Sequence, residues 1–287
     1  MVANNRLNKL WNRLRQNQVA LWSLAFIVLV VLGSTLVSLI SPYSPGGLDE
    51  THILERPSLS HWMGTDGLGR DLLTRILYGA RVSLTVGVGT TLLALIIGTA
   101  YGLISGYARP RVDNFLMRIV DIFYSLPDLL VFILLSLVLG RNVIGLLISL
   151  GLVTWVRFAR ITRGEVLQVK ESVYVEGARA IGASHRRIIL RHILPNIMGP
   201  ILVTLTFMIP GVILAESTLS FIGLGINDPY GDWGTSWGTL AQDGWRAMRT
   251  YPHVILFPAM AIFLTILSFN FLGNTLRDAL DPKDRMK

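Results

Sequence analysis

The chain has 287 residues, 52% of them hydrophobic and only 15% charged, a balance too apolar for an ordinary soluble domain. Its formal net charge of +8 does not point to nucleic acid, because the basic residues gather at the ends of apolar runs and not along one polar face. There is no cysteine, which excludes disulfides, thiolate metal sites and a cysteine nucleophile.

Residues 1–18 are polar and basic, carrying Arg6, Lys9, Arg13 and Arg15. Residues 19–40 are almost wholly apolar and long enough to cross a bilayer. The run is too long for a signal peptide and no small-residue cleavage site follows, so it predicts an uncleaved anchor. Residues 41–81 form a polar loop with Pro42, Pro45 and Pro57. Five further apolar runs follow, at 82–107, 115–139, 142–158, 197–222 and 254–276, and 277–287 is a basic tail. The predicted fold class is therefore an all-α polytopic membrane protein with six transmembrane helices, an anchor followed by a five-helix core over 82–276. With the N-terminus inside, 19 of the 26 Lys and Arg residues fall on the cytoplasmic side and seven on the other. That bias places both termini and the loop 157–195 in the cytoplasm, and 41–81 and 223–252 outside.

The second run carries Thr90, Ala94, Gly98, Gly102 and Gly106 at four-residue intervals, a smooth face that another helix can approach closely. In the third run the spacing of Asn114, Arg118, Asp121, Ser125 and Asp128 places all five on one helical face. Arg118 and Asp121 are then placed to pair. Acids inside a membrane bundle mark a pathway or an internal partner, so Asp121, Ser125 and Asp128 are substrate-path candidates. For Asp128 a clasp to a second subunit is the competing expectation. Glu216 in the fifth run, about 9 Å in from its outer end by the helical rise, has the same two readings, path or clasp.

The loop 157–195 holds eight basic residues and reads as two short helices with a hinge. Ser172 is placed to cap a helix over 173–180, Gly182 to end it, and Ser184 to cap a second helix that Pro195 stops. No GxxxxGK[ST] run occurs, so ATP binding by this chain is not expected. No HExxH occurs, and His52, His61, His185, His192 and His253 are scattered, so no metal site is expected. Ser236 lies in a GxSxG run and Ser184 in a Gly-Ala-Ser-His run, the only hints of a serine protease. Both fall in polar loops that lack the context of a nucleophile, so no catalytic residue is assigned.

The run from Glu176 to Pro195 resembles the EAA loop of binding-protein-dependent ABC importer permeases. Glu176, Ala178, Gly182, Leu194 and Pro195 fit in register; Gly177 replaces an alanine and His192 an isoleucine. The resemblance implies that Glu176, Gly177, Ala178, Arg179, Gly182, Leu194 and Pro195 form a coupling helix docked on an ATPase. The outer motif Gly64-Thr65-Asp66, Gly69-Arg70-Asp71 is similar to the C-type permeases of dipeptide, oligopeptide and nickel importers. So are the stretches 216–225 and 270–281. Asp66, Arg70 and Asp71 are read as structural ties within that loop. The resemblance further implies a second related permease, two ATP-binding subunits that carry the ATP and magnesium, an extracytoplasmic substrate-binding protein, and a bacterial-type inner membrane. It implies dipeptides or oligopeptides as cargo, with nickel as the alternative.

Overall fold

The computed structural model describes residues 15–226 and 234–280. The basic segment 1–14, residues 227–233 and the tail from 281 lie outside the described residues. Among the described residues the regular structure is helical, with one isolated bridge between Thr65 and Asp71.

Helix α1 (Gln18–Thr35) starts where Asn17 accepts hydrogen bonds from the Val19 and Ala20 amides. A one-turn helix α2 (Val37–Ile40) follows. Helix α3 (Leu72–Tyr107) has 36 residues and begins ten residues before the apolar run, because the Asp71 carboxylate caps the Thr74 amide at 2.8 Å. Helix α6 (Val143–Lys170) is likewise capped by Asn142 and runs well past residue 158. Helix α9 (Leu194–Phe221) and helix α11 (His253–Leu280) complete the long elements. Among the described residues five helical stretches are long and apolar enough to span a membrane, and a bent pair, counted as one span, makes a sixth.

That bent pair is helix α4 (Pro110–Ser125) and helix α5 (Asp128–Leu139), which meet at 88°. Leu126 is extended, as the residue before a proline prefers to be, and Pro127 starts α5. The expected single face of Asn114 to Asp128 is therefore interrupted: Asp128 lies beyond the elbow, on a different helix.

The bundle is built around α3 and α6. Gly98 of α3 lies so close to α6 that an added Cβ would sit 2.9 Å from the Ala159 amide nitrogen. At Gly102 the same atom would be 2.7 Å from Thr162 Cβ, and at Gly106 2.8 Å from Val166 Cβ. The small-residue stripe is thus the seam of the bundle. Nearer the start of α3, Val82 and Val86 pack with Leu146 and Leu150 of α6 and with Val212 and Leu219 of α9. The outward surface stays apolar, with Trp22, Leu39 and Val138 exposed, as lipid-facing helices require.

A further short helix lies between α9 and α11. Helix α10 (Trp237–Trp245) is capped by Ser236, and Trp237 is buried with its indole N–H donating to the Ile76 carbonyl at 2.9 Å.

Candidate functional site

Helix α7 (Val173–Ala180) and helix α8 (His185–Ile188) form the projecting knob. Gly182 has φ +80, so the chain reverses there in a conformation a side chain would disfavour, and the Gly182 and Ala183 amides bond back to Arg179 and Ala178. Ser184 caps the Arg187 amide. Ser172 occupies the cap position of α7, but its hydroxyl donates to the Val169 carbonyl instead of capping. Pro195 does not stop the second helix. A π-helical turn over Ile189–Ile193 joins α8 to α9, with the Leu194 amide bonding to the Ile189 carbonyl five residues back. That register change admits the proline, so α8, the second half of the knob, and the fifth span form one continuous rod of 37 residues, His185–Phe221.

The knob has two sides. Val175 and Ala178 face inward and pack with Val166, Ile188, Ile193, Ile197 and Ile201. Val173 and Ile181 face outward and are 84% and 86% exposed. Glu176, Gly177, Arg179 and Gly182 are exposed as well, Leu194 packs on the cluster, and Pro195 is exposed. Ala178 therefore holds the knob together, while Val173 and Ile181, which the motif did not single out, are its free apolar tips.

The elbow between α4 and α5 forms a second polar locus. Asp121 pairs with Arg160 of α6 at 2.5 Å, not with Arg118, and the Arg160 guanidinium lies 3.9 Å from the Tyr124 ring centroid. Asp128 faces Arg157 of α6 at 3.4 Å. Ser125 donates to the Ile122 carbonyl within its own helix. Residues 121–130 are all exposed in the isolated chain. Lower on the same helices, Asp113 receives two 2.7 Å bonds from Arg163 and one of 2.5 Å from Ser105. That buried clasp, which sequence reading passed over, ties α4 to both α3 and α6.

Glu216 has no exposed surface at all. Its carboxylate accepts hydrogen bonds from Ser83 of α3 at 3.0 Å and from Ser220 at 2.6 Å, with Ser217 at 3.4 Å. The Trp237 amide in turn donates to the Ser83 hydroxyl at 3.2 Å. Glu216 is a fully buried clasp between α9, α3 and α10.

In the loop between α2 and α3, Asp66 is the hub. It accepts from the Leu68 and Arg70 amides, from Arg70 Nε at 2.8 Å, and from the Arg75 guanidinium. Burial pushes the Asp66 carboxyl up, but Arg75, Arg70 and the two amides outweigh it and hold it below the usual carboxylate range. Asp243 of α10 reaches Arg75 at 3.3 Å, joining the two outer segments. Thr65 accepts from the Glu55 amide at 2.8 Å. Gly64 and Gly69 take φ +78 and +73, and a side chain at either would strike the backbone of Glu55 or Asp49. Asp71 spends one oxygen on Thr74 and the other on His61 at 3.0 Å. His52 and His61 are not scattered in space: their rings lie 5.6 Å apart, contrary to the expectation from their spacing. Ser236 and Ser184, the protease hints, both serve as helix caps.

A helical bundle with an interrupted third span and a helix–glycine–helix knob continuous with a later span is the architecture of a membrane permease. Residues 98–285 match the family described as "Binding-protein-dependent transport system inner membrane component", and residues 6–57 match the "N-terminal TM domain of oligopeptide transport permease C". The chain is 42% identical to the oligopeptide transport system permease protein OppC of Bacillus subtilis (strain 168), over 95% of this chain and 88% of that one. It is 43% identical to the dipeptide transport system permease protein DppC of the same strain, over 96% and 85%. Its fold resembles a chain of the inward-facing MetNI methionine ABC transporter, with a TM-score of 0.57 at 16% identity, covering 72% of this chain and 96% of that chain. The chain belongs to the family of binding-protein-dependent transport system inner membrane components. It is a non-catalytic, multi-pass subunit of an ABC importer, and its family implies separate ATPase and substrate-binding partners.

Proposed function

We propose that the chain is the C-type permease of a peptide importer, carrying dipeptides or oligopeptides across the inner membrane. The carrying observation is the high identity, over nearly the whole chain, to permeases named for oligopeptide and dipeptide transport. The polar elbow supports it. Asp121, Asp128, Arg157 and Arg160 sit on membrane-embedded helices yet are uncovered in the single chain. Charged groups are too costly to leave facing lipid, so a second, related permease covers them, and the path runs between the two. Both termini and the knob lie in the cytoplasm, on the side favoured by the basic residues. The knob docks on one of two ATPase subunits, which hold the ATP and magnesium, while an extracytoplasmic binding protein delivers the peptide. Because α8 of the knob and α9 are one rod, a shift of the knob at the ATPase is passed to the span through that rod.

The test is a complex of this chain with a second permease, the ATPases and a binding protein, reconstituted in vesicles. Single cysteines replacing Ile181 and Val173 should cross-link to an ATPase subunit in a chain that has no native cysteine. ATP-dependent uptake of a labelled peptide should accompany it. Cross-linking without peptide uptake would refute the peptide assignment alone; uptake with no cross-link at either tip would refute the docking.

A further inference from the structure

The outer loop between α2 and α3 carries a cluster that the transport function does not use. His52, Glu55 and His61 each offer a ligand atom within 4.8 Å of the others. The two histidines are oriented in the same way. His52 Nδ1 is 2.8 Å from Asp49 Oδ2, and His61 Nδ1 is 3.0 Å from Asp71 Oδ1. A carboxylate on Nδ1 fixes the ring and leaves Nε2 as the free, basic nitrogen, which is how metal-binding histidines are held. Glu55 Oε2 is buried and has no hydrogen-bond partner, 3.9 Å from His52 Nε2. A buried carboxylate oxygen with no donor is costly unless a cation or water completes it.

The backbone builds the cluster deliberately. Leu54 adopts φ 54, a left-handed conformation uncommon for leucine, and its turn sets Glu55 beside His52. Thr65 anchors both flanks, donating to the His52 carbonyl and accepting from the Glu55 amide. Tyr43 stacks on His61 with centroids 4.6 Å apart, closing one side.

We propose that His52 Nε2, His61 Nε2 and Glu55 Oε2 bind a divalent transition metal of the zinc class, with water in the fourth position. Two imidazoles and one carboxylate form a recognised three-ligand set for zinc. Tetrahedral bonds of about 2.0–2.1 Å place ligand atoms about 3.3 Å apart, so binding draws this cluster in by about 1 Å. Half-exposed His52 and Glu55 can make that movement. Asp49 and Asp71 are the positioning residues. Through Asp71, which caps α3, the ion would brace the loop on the start of the second span.

The experiment uses the assembled, nucleotide-free complex in detergent, purified without a polyhistidine tag, stripped with chelator and titrated with cobalt(II). One equivalent should bind with the intense visible absorption of four-coordinate cobalt, and zinc should displace it. His52→Ala removes an exposed side chain, so folding is preserved, and it should weaken binding at least a hundredfold and abolish the absorption. Asp49→Asn should weaken it about 10–100-fold, the range for lost outer partners. His185→Ala should change nothing. Absence of a four-coordinate spectrum, or cobalt affinity unaltered by His52→Ala, would overturn the proposal.

Discussion

Replacing Glu216 tests whether its carboxylate is a clasp or a charge that works in transport. In the native chain the serine hydroxyls of Ser83, Ser217 and Ser220 converge on it, and among the described residues no basic side chain is paired with it. Glu216→Ala leaves those hydroxyls without their acceptor and opens a void at a site with no exposure. A hydrogen bond between membrane helices is worth about 0.6 kcal/mol, and here only the one from Ser83 crosses between helices; with the two from Ser217 and Ser220 on α9 itself, the loss amounts to roughly 1–2 kcal/mol. The void adds about 1–2 kcal/mol. Glu216→Gln keeps the volume and one carbonyl acceptor, and the serine hydroxyls can rotate to accept from its amide, so its cost should stay below about 1 kcal/mol. The assay is thermal unfolding of the purified complex in detergent, alongside uptake in vesicles. The alanine variant should unfold several degrees lower, while the glutamine variant should stay near the native midpoint and transport at the native rate. A glutamine variant that is stable but inactive would refute the clasp, because only the charge would then be missing.

At the elbow, Asp128→Asn should reduce uptake of a peptide with a free amino terminus more than that of its acetylated form, measured at equal expression and ATPase coupling; equal reduction would show that Asp128 serves only as a partner for Arg157. Gly102→Val should separate α3 from α6, because even a Cβ would stand 2.7 Å from Thr162 Cβ and 3.0 Å from the Arg163 amide nitrogen. Overpacking of this kind costs about 1–3 kcal/mol, visible as a lower unfolding midpoint; an unchanged midpoint would mean the seam yields. Because the Asp66 carboxyl is held below the ordinary range, its contribution is fully present above about pH 3.9 and is lost only as pH falls through the lower folded value. Protease resistance of the outer loop should therefore persist at pH 5 and fade in stronger acid, and Asp66→Asn should lower that resistance already at pH 7.

The spans were legible in the sequence because a bilayer imposes a length and a composition on any helix that crosses it, and both can be read from one stretch of chain. The turn at Gly182 and the seam through Gly98, Gly102 and Gly106 were legible for a similar reason: each is set by residues within a turn or two. What the tertiary structure decided depends on partners distant in sequence. Asp121 reads as a mate for Arg118 along one helix, but the approach of α6 gives it Arg160 instead. Pro195 reads as a stop, yet the π turn before it lets the rod continue. Ala178 belongs to the docking motif by position, but only packing shows that it points inward and Ile181 outward. Helix α10 is too short to carry a spanning signal, and its Trp237 lids a carboxylate whose serines come from both α3 and α9. His52 and His61 are nine residues apart and match no ligand spacing; a left-handed turn and two aspartates bring them together. Composition could establish which segments enter the membrane, whereas the meeting of side chains depends on the angles at which those segments pack.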